Sequence, residues 1–328
     1  MDSLSHILER FSRIKVLVAG DLMVDEHIWG TTSRVSPEAP VLVVDANGES
    51  EVLPGGAANV VNNIRALGGN AAIVGVVGDD SYGEELEKKL QDTGVDTTGL
   101  VVDPSRVTTR KTRIWVSHRQ QVVRVDRETH EPVNEGIVER LLREIRKKLA
   151  DCDVLILSDY NKGVLVPAVA KRAVALAREM GKICTANPKP VNINGFEGAK
   201  LVTLNRSEAE AVAGTKFHSE GIIKSAGQRM LSDLALDCLV VTRGSAGLTI
   251  FNEDSATTVP AIPIEVYDVA GAGDTVISAI SLALAAGASP VDAAKIGNLA
   301  GGAAVRKVGV AAVTCGEIRA LAADKKEK

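Results

Sequence analysis

The stretch Val266-Tyr-Asp-Val-Ala-Gly-Ala-Gly-Asp-Thr275, running into Val-Ile-Ser-Ala-Ile-Ser-Leu-Ala-Leu-Ala-Ala286, decides the reading of this chain. Val266 and Tyr267 are β-branched and aromatic and follow Pro260 and Pro263, so they read as the end of a strand. Gly271, Ala272 and Gly273 then make a turn, and the small apolar residues after Asp274 have helical spacing and no proline. A Gly-rich turn at a helix N-terminus offers backbone N–H groups to an anion. Asp274 in the same place repels a phosphate. That conflict resolves if the carboxylate is a base beside a bound phosphoryl group, taking the proton of a hydroxyl that attacks phosphorus. The competing reading is a plain helix cap.

Outward from this stretch, strands and helices alternate. Strands are expected at 14–19, 72–77, 154–157, 183–186, 201–204 and 238–242, with helices over 134–150, 167–180 and near 220–234. This spacing predicts parallel βαβ units, whose short post-strand loops gather at one edge of the sheet. Those loops are Gly20-Asp21-Leu-Met-Val-Asp25, Ser158-Asp-Tyr-Asn-Lys-Gly163, Asn187-Pro-Lys-Pro190, Asn205-Arg-Ser-Glu208 and Thr242-Arg-Gly-Ser-Ala-Gly247. Residues 26–53 and 107–126 break the pattern with β-prone, alternating sequence and read as short antiparallel strands outside the main sheet. Ser117–Gln120 reads as a turn between two of them. The two insertions predict one small sheet that covers the site or joins two subunits, with Trp29 and Trp115 in its core.

A chain of 328 residues, 45% hydrophobic and 24% charged, has the composition of a globular domain with a large core. A net charge of −4 gives no basic footprint for nucleic acid. Cys152, Cys184, Cys238 and Cys315 are far apart and fit buried thiols better than a disulfide framework or a zinc site. The charged N-terminus does not resemble a signal peptide, and no apolar run is fit to span a bilayer. A cytoplasmic protein with no membrane partner is the expectation. No spaced His pair suggests a metal site.

Together the loops resemble the ribokinase-like (PfkB) carbohydrate kinases along nearly the whole chain. Asp268-Val-Ala-Gly-Ala-Gly-Asp274 is similar to that family's second signature, Pro54-Gly-Gly-Ala-Ala-Asn59 with Gly78-Asp-Asp-x-x-Gly83 to its first, and Asn205-x-x-Glu208 to its N-x-x-E motif. The resemblance implies a three-layer α/β/α domain over 1–328 with a mostly parallel sheet and a β lid. Gly20–Asp25, Ser33–Pro40, Gln120–Asp126 and Ser158–Gly163 further resemble the members that phosphorylate D-glycero-D-manno-heptose 7-phosphate at C1. Such kinases are often fused to a nucleotidyltransferase domain; none is expected here, so the chain reads as a stand-alone kinase.

The resemblance implies ATP and Mg²⁺ as cofactors. It makes Asp274 the general base, with N–H groups of Gly271, Ala272 and Gly273 as the anion hole. It places Asn205 and Glu208 on Mg²⁺ through water, where the plain alternative is a helix cap. Thr242, Gly244, Gly247 and Asn298 should lie along the nucleotide. Asp21, Asp25, Gly55, Gly56 and Asn59 should meet sugar hydroxyls. The substrate phosphate should find cations among Arg34, Lys111, Arg113, Arg119, Arg124, Lys162 and Lys189, with Arg34, Lys111, Lys162 and Lys189 favoured. A homodimer through the lid is expected. Two departures stand out: Asn187 replaces a carboxylate, which predicts weaker metal dependence, and Ala270 replaces a threonine. Another sugar or nucleoside kinase of the family, or a non-catalytic sugar-nucleotide sensor, are the competing functions.

Overall fold

The computed structural model describes residues 2–46, 48, 50–116, 120–307, 309–310 and 312–324. Its frame is a nine-stranded sheet in the order β14-β13-β12-β11-β10-β9-β1-β5-β6. The strands are β1 (Lys15–Gly20), β5 (Asn70–Val77), β6 (Asp96–Val102), β9 (Val154–Ser158), β10 (Ile183–Asn187), β11 (Leu201–Asn205), β12 (Cys238–Thr242), β13 (Leu248–Phe251) and β14 (Ala256–Val259). From β6 to β12 every pairing is parallel, and only the β12–β13 and β13–β14 pairings are antiparallel. Both faces are covered, which is why the central strands are apolar without interruption. In β1, Val16 and Val18 pack into one layer, Leu17 and Ala19 into the other.

Helices α1 (Asp2–Arg10), α2 (Ala57–Ala66), α3 (Ser81–Asp92), α8 (Ala272–Ala285), α9 (Pro290–Ala304) and α10 (Cys315–Asp324) contribute to the first layer. Helices α4 (Glu135–Leu149), α5 (Pro167–Glu179), α6 (Arg206–Ala213) and α7 (Glu220–Asp233) contribute to the second. α8 is buried from Asp274 to Leu284, as its continuous small and apolar sequence requires. The four cysteines are free thiols, three of them buried. Among the described residues no helix is long and apolar enough to cross a membrane.

A second sheet projects from the carboxyl edge of the first. It holds β2 (Leu22–Val35), β3 (Leu42–Ala46), β4 (Glu51–Gly56), β7 (Arg110–Val116) and β8 (Gln120–Arg127), in the order β3-β2-β7-β8 with β4 also on β2. This is the expected lid, with two corrections. β2 is one strand of 14 residues beginning at Leu22, so Asp25 lies inside a strand. β2 and β7 pair in parallel, because they leave the main domain side by side. Trp29 and Trp115 stack with ring centroids 5.5 Å apart, and His27 stacks on Trp115 at 5.7 Å. The expected turn at 117–119 lies outside the described residues. A third correction concerns the opening stretch: the last strand ends at Val259, and Val266 and Tyr267 are in no strand. Pro260 and Pro263 lack the N–H that a ladder needs. Tyr267 and Asp268 instead donate their N–H groups to Val305 O at the end of α9, at 2.8 and 3.3 Å.

Candidate active site

The register of the sheet assembles the site. Gly20, Ser158 and Asn187 are consecutive partners across β1, β9 and β10, and Asn205 and Thr242 are partners across β11 and β12. The last residues of five neighbouring strands therefore form a stepped row, β11 and β12 running two residues past the level of Asn187. β1 is also where the strand order reverses, between β5 and β9, and open α/β sheets bind ligands at such a point. The backbones meet closely here: a Cβ on Gly20 would lie 2.0 Å from Ser158 O, so only glycine fits. Above the row runs a cleft lined by Tyr160, Asn187, Lys189, Asn205, Glu208, Thr242, Gly271, Gly273 and Asp274, among others.

Asp274 lies in the first turn of α8, only 6% exposed. Its Oδ2 accepts from Asn59 Nδ2 at 2.7 Å, and its Oδ1 accepts from the Tyr160 hydroxyl. Burial pushes its pKa up to about 6, against the pull of those two donors. Asn63 supports the arrangement: it donates to Asn59 O at 2.9 Å and accepts from Thr275 Oγ1 at 2.8 Å. Gly271 caps α8 at φ +72, and a Cβ there would crowd Asn59 Nδ2 at 3.0 Å. The anion hole differs in detail from expectation. Ala272 N–H is taken by Val269 O at 3.3 Å. Among the described residues the N–H groups of Gly271, Gly273 and Asp274 find no acceptor, so these are the donors open to an anion.

Asp21 is not an open sugar ligand in this structure. It is fully buried, and it accepts the N–H groups of Tyr160 at 2.7 Å, Lys162 at 3.2 Å and Val164 at 3.2 Å. Asp159 is also buried; it accepts from the N–H groups of Asn161 at 2.7 Å and Lys189 at 2.8 Å, and from Asn192 Nδ2. Burial and the neighbouring Asp159 raise Asp21 to about 6, and burial raises Asp159. These two carboxyls set the course of the 158–164 and 187–190 loops. Asn59, 1% exposed, is likewise spent on Asp274 and Asn63. Asp25, on β2, pairs its Oδ1 with Arg113, while its Oδ2 lies over Gly55, where the missing side chain leaves room. Gly56 caps α2 at φ +59.

On the nucleotide side, Asn205 and Glu208 form a capping box at α6: Asn205 Oδ1 accepts Glu208 N–H, and Glu208 Oε2 accepts Asn205 N–H, both at 2.9 Å. Glu208 Oε1 remains, and Lys189 Nζ holds it at 2.6 Å. Among the described residues Asn187 Oδ1 is buried with no partner. Thr242 lines the cleft, but Gly244 and Gly247 belong to the tight turn that joins β12 to β13 and do not. Asn298 opens onto a separate apolar recess with Val259, Ile262, Ile296 and Leu299, and donates to Pro260 O at 2.9 Å.

The favoured cations divide. Lys189 is in the cleft. Lys162 and Lys111 converge on Glu128, at 2.8 and 3.4 Å, with His130 Nε2 on the same carboxylate at 2.9 Å. Arg34 is exposed nine residues beyond Asp25 on the same strand, about 30 Å away at strand rise, and does not reach its own chain's cleft. Arg124 pairs with Asp126 and Lys111 does too. Arg119 lies outside the described residues. Sequence reasoning passed over Tyr160; its position between Asp159 and Lys162 in a post-strand loop was the available sign.

A model of the pfkB family of carbohydrate kinases matches residues 14–315. The bifunctional protein HldE of Geobacter metallireducens is 43% identical over 306 residues, which are 93% of this chain and 62% of that protein. The HldE of Wolinella succinogenes is 41% identical over 312 residues, 95% of this chain and 65% of that protein. The chain thus spans somewhat less than two thirds of the length of these curated relatives. Among solved structures, phosphofructokinase-2 from Escherichia coli in complex with fructose-6-phosphate aligns with a TM-score of 0.76 at 21% identity, covering 95% of this chain and 98% of that one. A ribokinase from Thermotoga maritima aligns with a TM-score of 0.72 at 19% identity, covering 94% and 99%. These two similarities bear on the fold alone.

Proposed function

The chain belongs to the pfkB family of carbohydrate kinases, ATP-dependent enzymes, and from that premise we propose that it phosphorylates D-glycero-D-manno-heptose 7-phosphate at the C1 hydroxyl. The observation that carries the chemistry is Asp274. It is a buried carboxylate beside unpaired helix-terminal N–H groups, and Lys189 and Glu208 line the same cleft. Asp274 takes the proton of the acceptor hydroxyl, that oxygen bonds to the γ-phosphorus, the bridging P–O bond breaks and ADP leaves. The N–H groups of Gly271, Gly273 and Asp274 receive the charge on the phosphoryl oxygens. A base whose pKa is near 6 is ionised at neutral pH yet still basic enough to assist.

Asn205 and Glu208 suit a Mg²⁺ ion held through water. Among the described residues no cluster of three or more acidic, His or Cys side chains could hold a metal directly, and a hard ion on phosphates keeps much of its water. When bound, the ion neutralises phosphate charge. Glu208 Oε1 would leave Lys189 to order that water, which frees Lys189 for the phosphates.

The heptose acceptor is supported by the resemblance of Gly20–Asp25, Ser33–Pro40, Gln120–Asp126 and Ser158–Gly163, and by relatives about 40% identical. Lys111 and Lys162, which converge on Glu128, offer cations to a second phosphate on the acceptor. The exposed apolar side chains of the lid, including Trp29, Val35, Leu42, Val123 and Val125, favour a homodimer through this sheet, measurable by light scattering. The test of function is ADP release across a panel: heptose 7-phosphate, fructose 6-phosphate, ribose, ketodeoxygluconate and adenosine. Highest kcat/KM with heptose 7-phosphate, and a product phosphorylated at C1 by NMR, is expected. Preference for another acceptor moves the chain to a different kinase of the family, and no turnover of any favours a sensor.

A further inference from the structure

We propose that Tyr160 is the positioning residue of the base, aiming Asp274 at the acceptor, and that Asp21 acts on the reaction through Tyr160 instead of touching the sugar. The inference rests on the reading of Asp274 as base. It starts from how the two carboxylate oxygens are used. Asn59 holds Oδ2 and the Tyr160 hydroxyl holds Oδ1, so the plane of the carboxylate is fixed from both ends. Each oxygen of an ionised carboxylate can accept twice, so a place remains for the acceptor hydroxyl.

Tyr160 can do this because its own backbone is pinned. Asp21, rigid at the end of the central strand β1, accepts Tyr160 N–H at 2.7 Å and two further N–H groups of the same loop. Asp159 ties that loop to Lys189, whose Nζ lies 5.4 Å from the Tyr160 ring centre. The path from Asp21 to Asp274 therefore runs through one side chain. Burial and the charge of Asp274 hold the Tyr160 hydroxyl well above its ordinary range, so it stays a donor at any working pH and is not itself the base.

The charged groups facing Asp274 are few. Lys189 from the loop after β10 favours its ionised form, and Asp25 from β2 disfavours it. α2 presents the neutral Asn59, and α8 carries no other ionisable residue. Against burial, the hydrogen bond from Tyr160 is the foremost influence keeping Asp274 ionised. Its removal moves Asp274 toward the neutral acid, which cannot take a proton.

The experiment compares wild type, Tyr160→Phe, Asp21→Asn and Asp274→Asn. The first readout is the carboxyl carbon resonance of Asp274 in protein labelled with 13C-aspartate, assigned by its loss in Asp274→Asn. The second is kcat and KM from pH 5 to pH 8.5 with ATP and heptose 7-phosphate, or the best acceptor of the panel. Tyr160→Phe should raise the Asp274 midpoint by about one unit. The acid limb of kcat should move up with it, KM for ATP should hold, and activity should recover toward pH 8. Asp21→Asn should shift the limb in the same direction without raising the acceptor KM. A uniform loss of kcat with limb and resonance unmoved overturns the proposal, as does loss of the cooperative melt in Tyr160→Phe, which would make the hydroxyl structural. A raised acceptor KM with an unmoved limb in Asp21→Asn overturns its second half. Near-normal turnover by Asp274→Asn instead overturns the base reading on its own.

Discussion

Replacing Asp274 by Asn should make the protein inactive and more stable at once, and the gain should depend on pH. Asp274 is buried, and its pKa rises from 3.8 to about 6. A carboxyl raised in the folded state binds its proton more tightly there than in the unfolded chain. Stability attributable to this group is therefore greatest in acid, falls as pH rises from about 4 to about 6, and stays low above that. Two units correspond to about 3 kcal/mol of destabilisation at pH 8. Asn is the same shape and never ionises. Its Oδ1 can accept from Asn59 and its Nδ2 can donate to the Tyr160 oxygen, so both partners are kept with imperfect geometry. A net gain of about 2 kcal/mol, or about 3 °C in Tm, is the expected result at pH 8. The gain should shrink toward zero near pH 4, while kcat falls by about 10²–10⁴-fold above pH 6, where the wild-type carboxylate is ionised, and by less in acid. Differential scanning calorimetry of both proteins without nucleotide, from pH 4.5 to pH 8, measures it. An Asn variant that melts no higher than wild type at pH 8, or higher by the same margin at every pH, would refute the reasoning.

Glu208→Gln keeps a hydrogen-bonding side chain at the α6 cap but loses its charge, so the Mg²⁺ concentration for half-maximal rate should rise about tenfold with Tm changed little. Titration of Mg²⁺ at saturating ATP checks this, and an unchanged midpoint removes Glu208 from the metal's surroundings. Lys162→Met leaves Glu128 with Lys111 and His130 but subtracts a cation from the subsite. KM for a phosphorylated acceptor should rise about tenfold while KM for ATP holds; an equal effect on dephosphorylated acceptor would place the second phosphate elsewhere.

The main sheet was legible because the strands buried on both faces announce themselves as apolar runs, and the loops after them carried the polar residues of the cleft. The lid was legible from alternation in β2, β7 and β8. Local propensity misled at Val266 and Tyr267, where β-prone residues are denied a ladder by the prolines before them. Arg34 was misplaced because a 14-residue strand carries its far end away from the cleft, and strand length was hidden by Pro37 and Pro40 farther along. Asp21 and Asn59 sit beside the site as expected, but their partners are 139 and 215 residues away in sequence. No local pattern tells a carboxylate that binds sugar from one that holds a loop. Tyr160 escaped for the same reason: its hydroxyl matters only through Asp274, 114 residues on.

The bond from Asn59 to Asp274 joins the first third of the chain to its last sixth. α8, which bears Asp274, is buried against α2 and α9 from Asp274 to Leu284. During synthesis every strand of the sheet is made before this helix. A chain that stops before Ala272 lacks the helix that packs on α2, α9 and one face of the sheet, so the first layer of the core stays open. The carboxylate of Asp274 therefore reaches Asn59 and Tyr160 only when the last helices complete the core, so closing the core and assembling the cleft are one event.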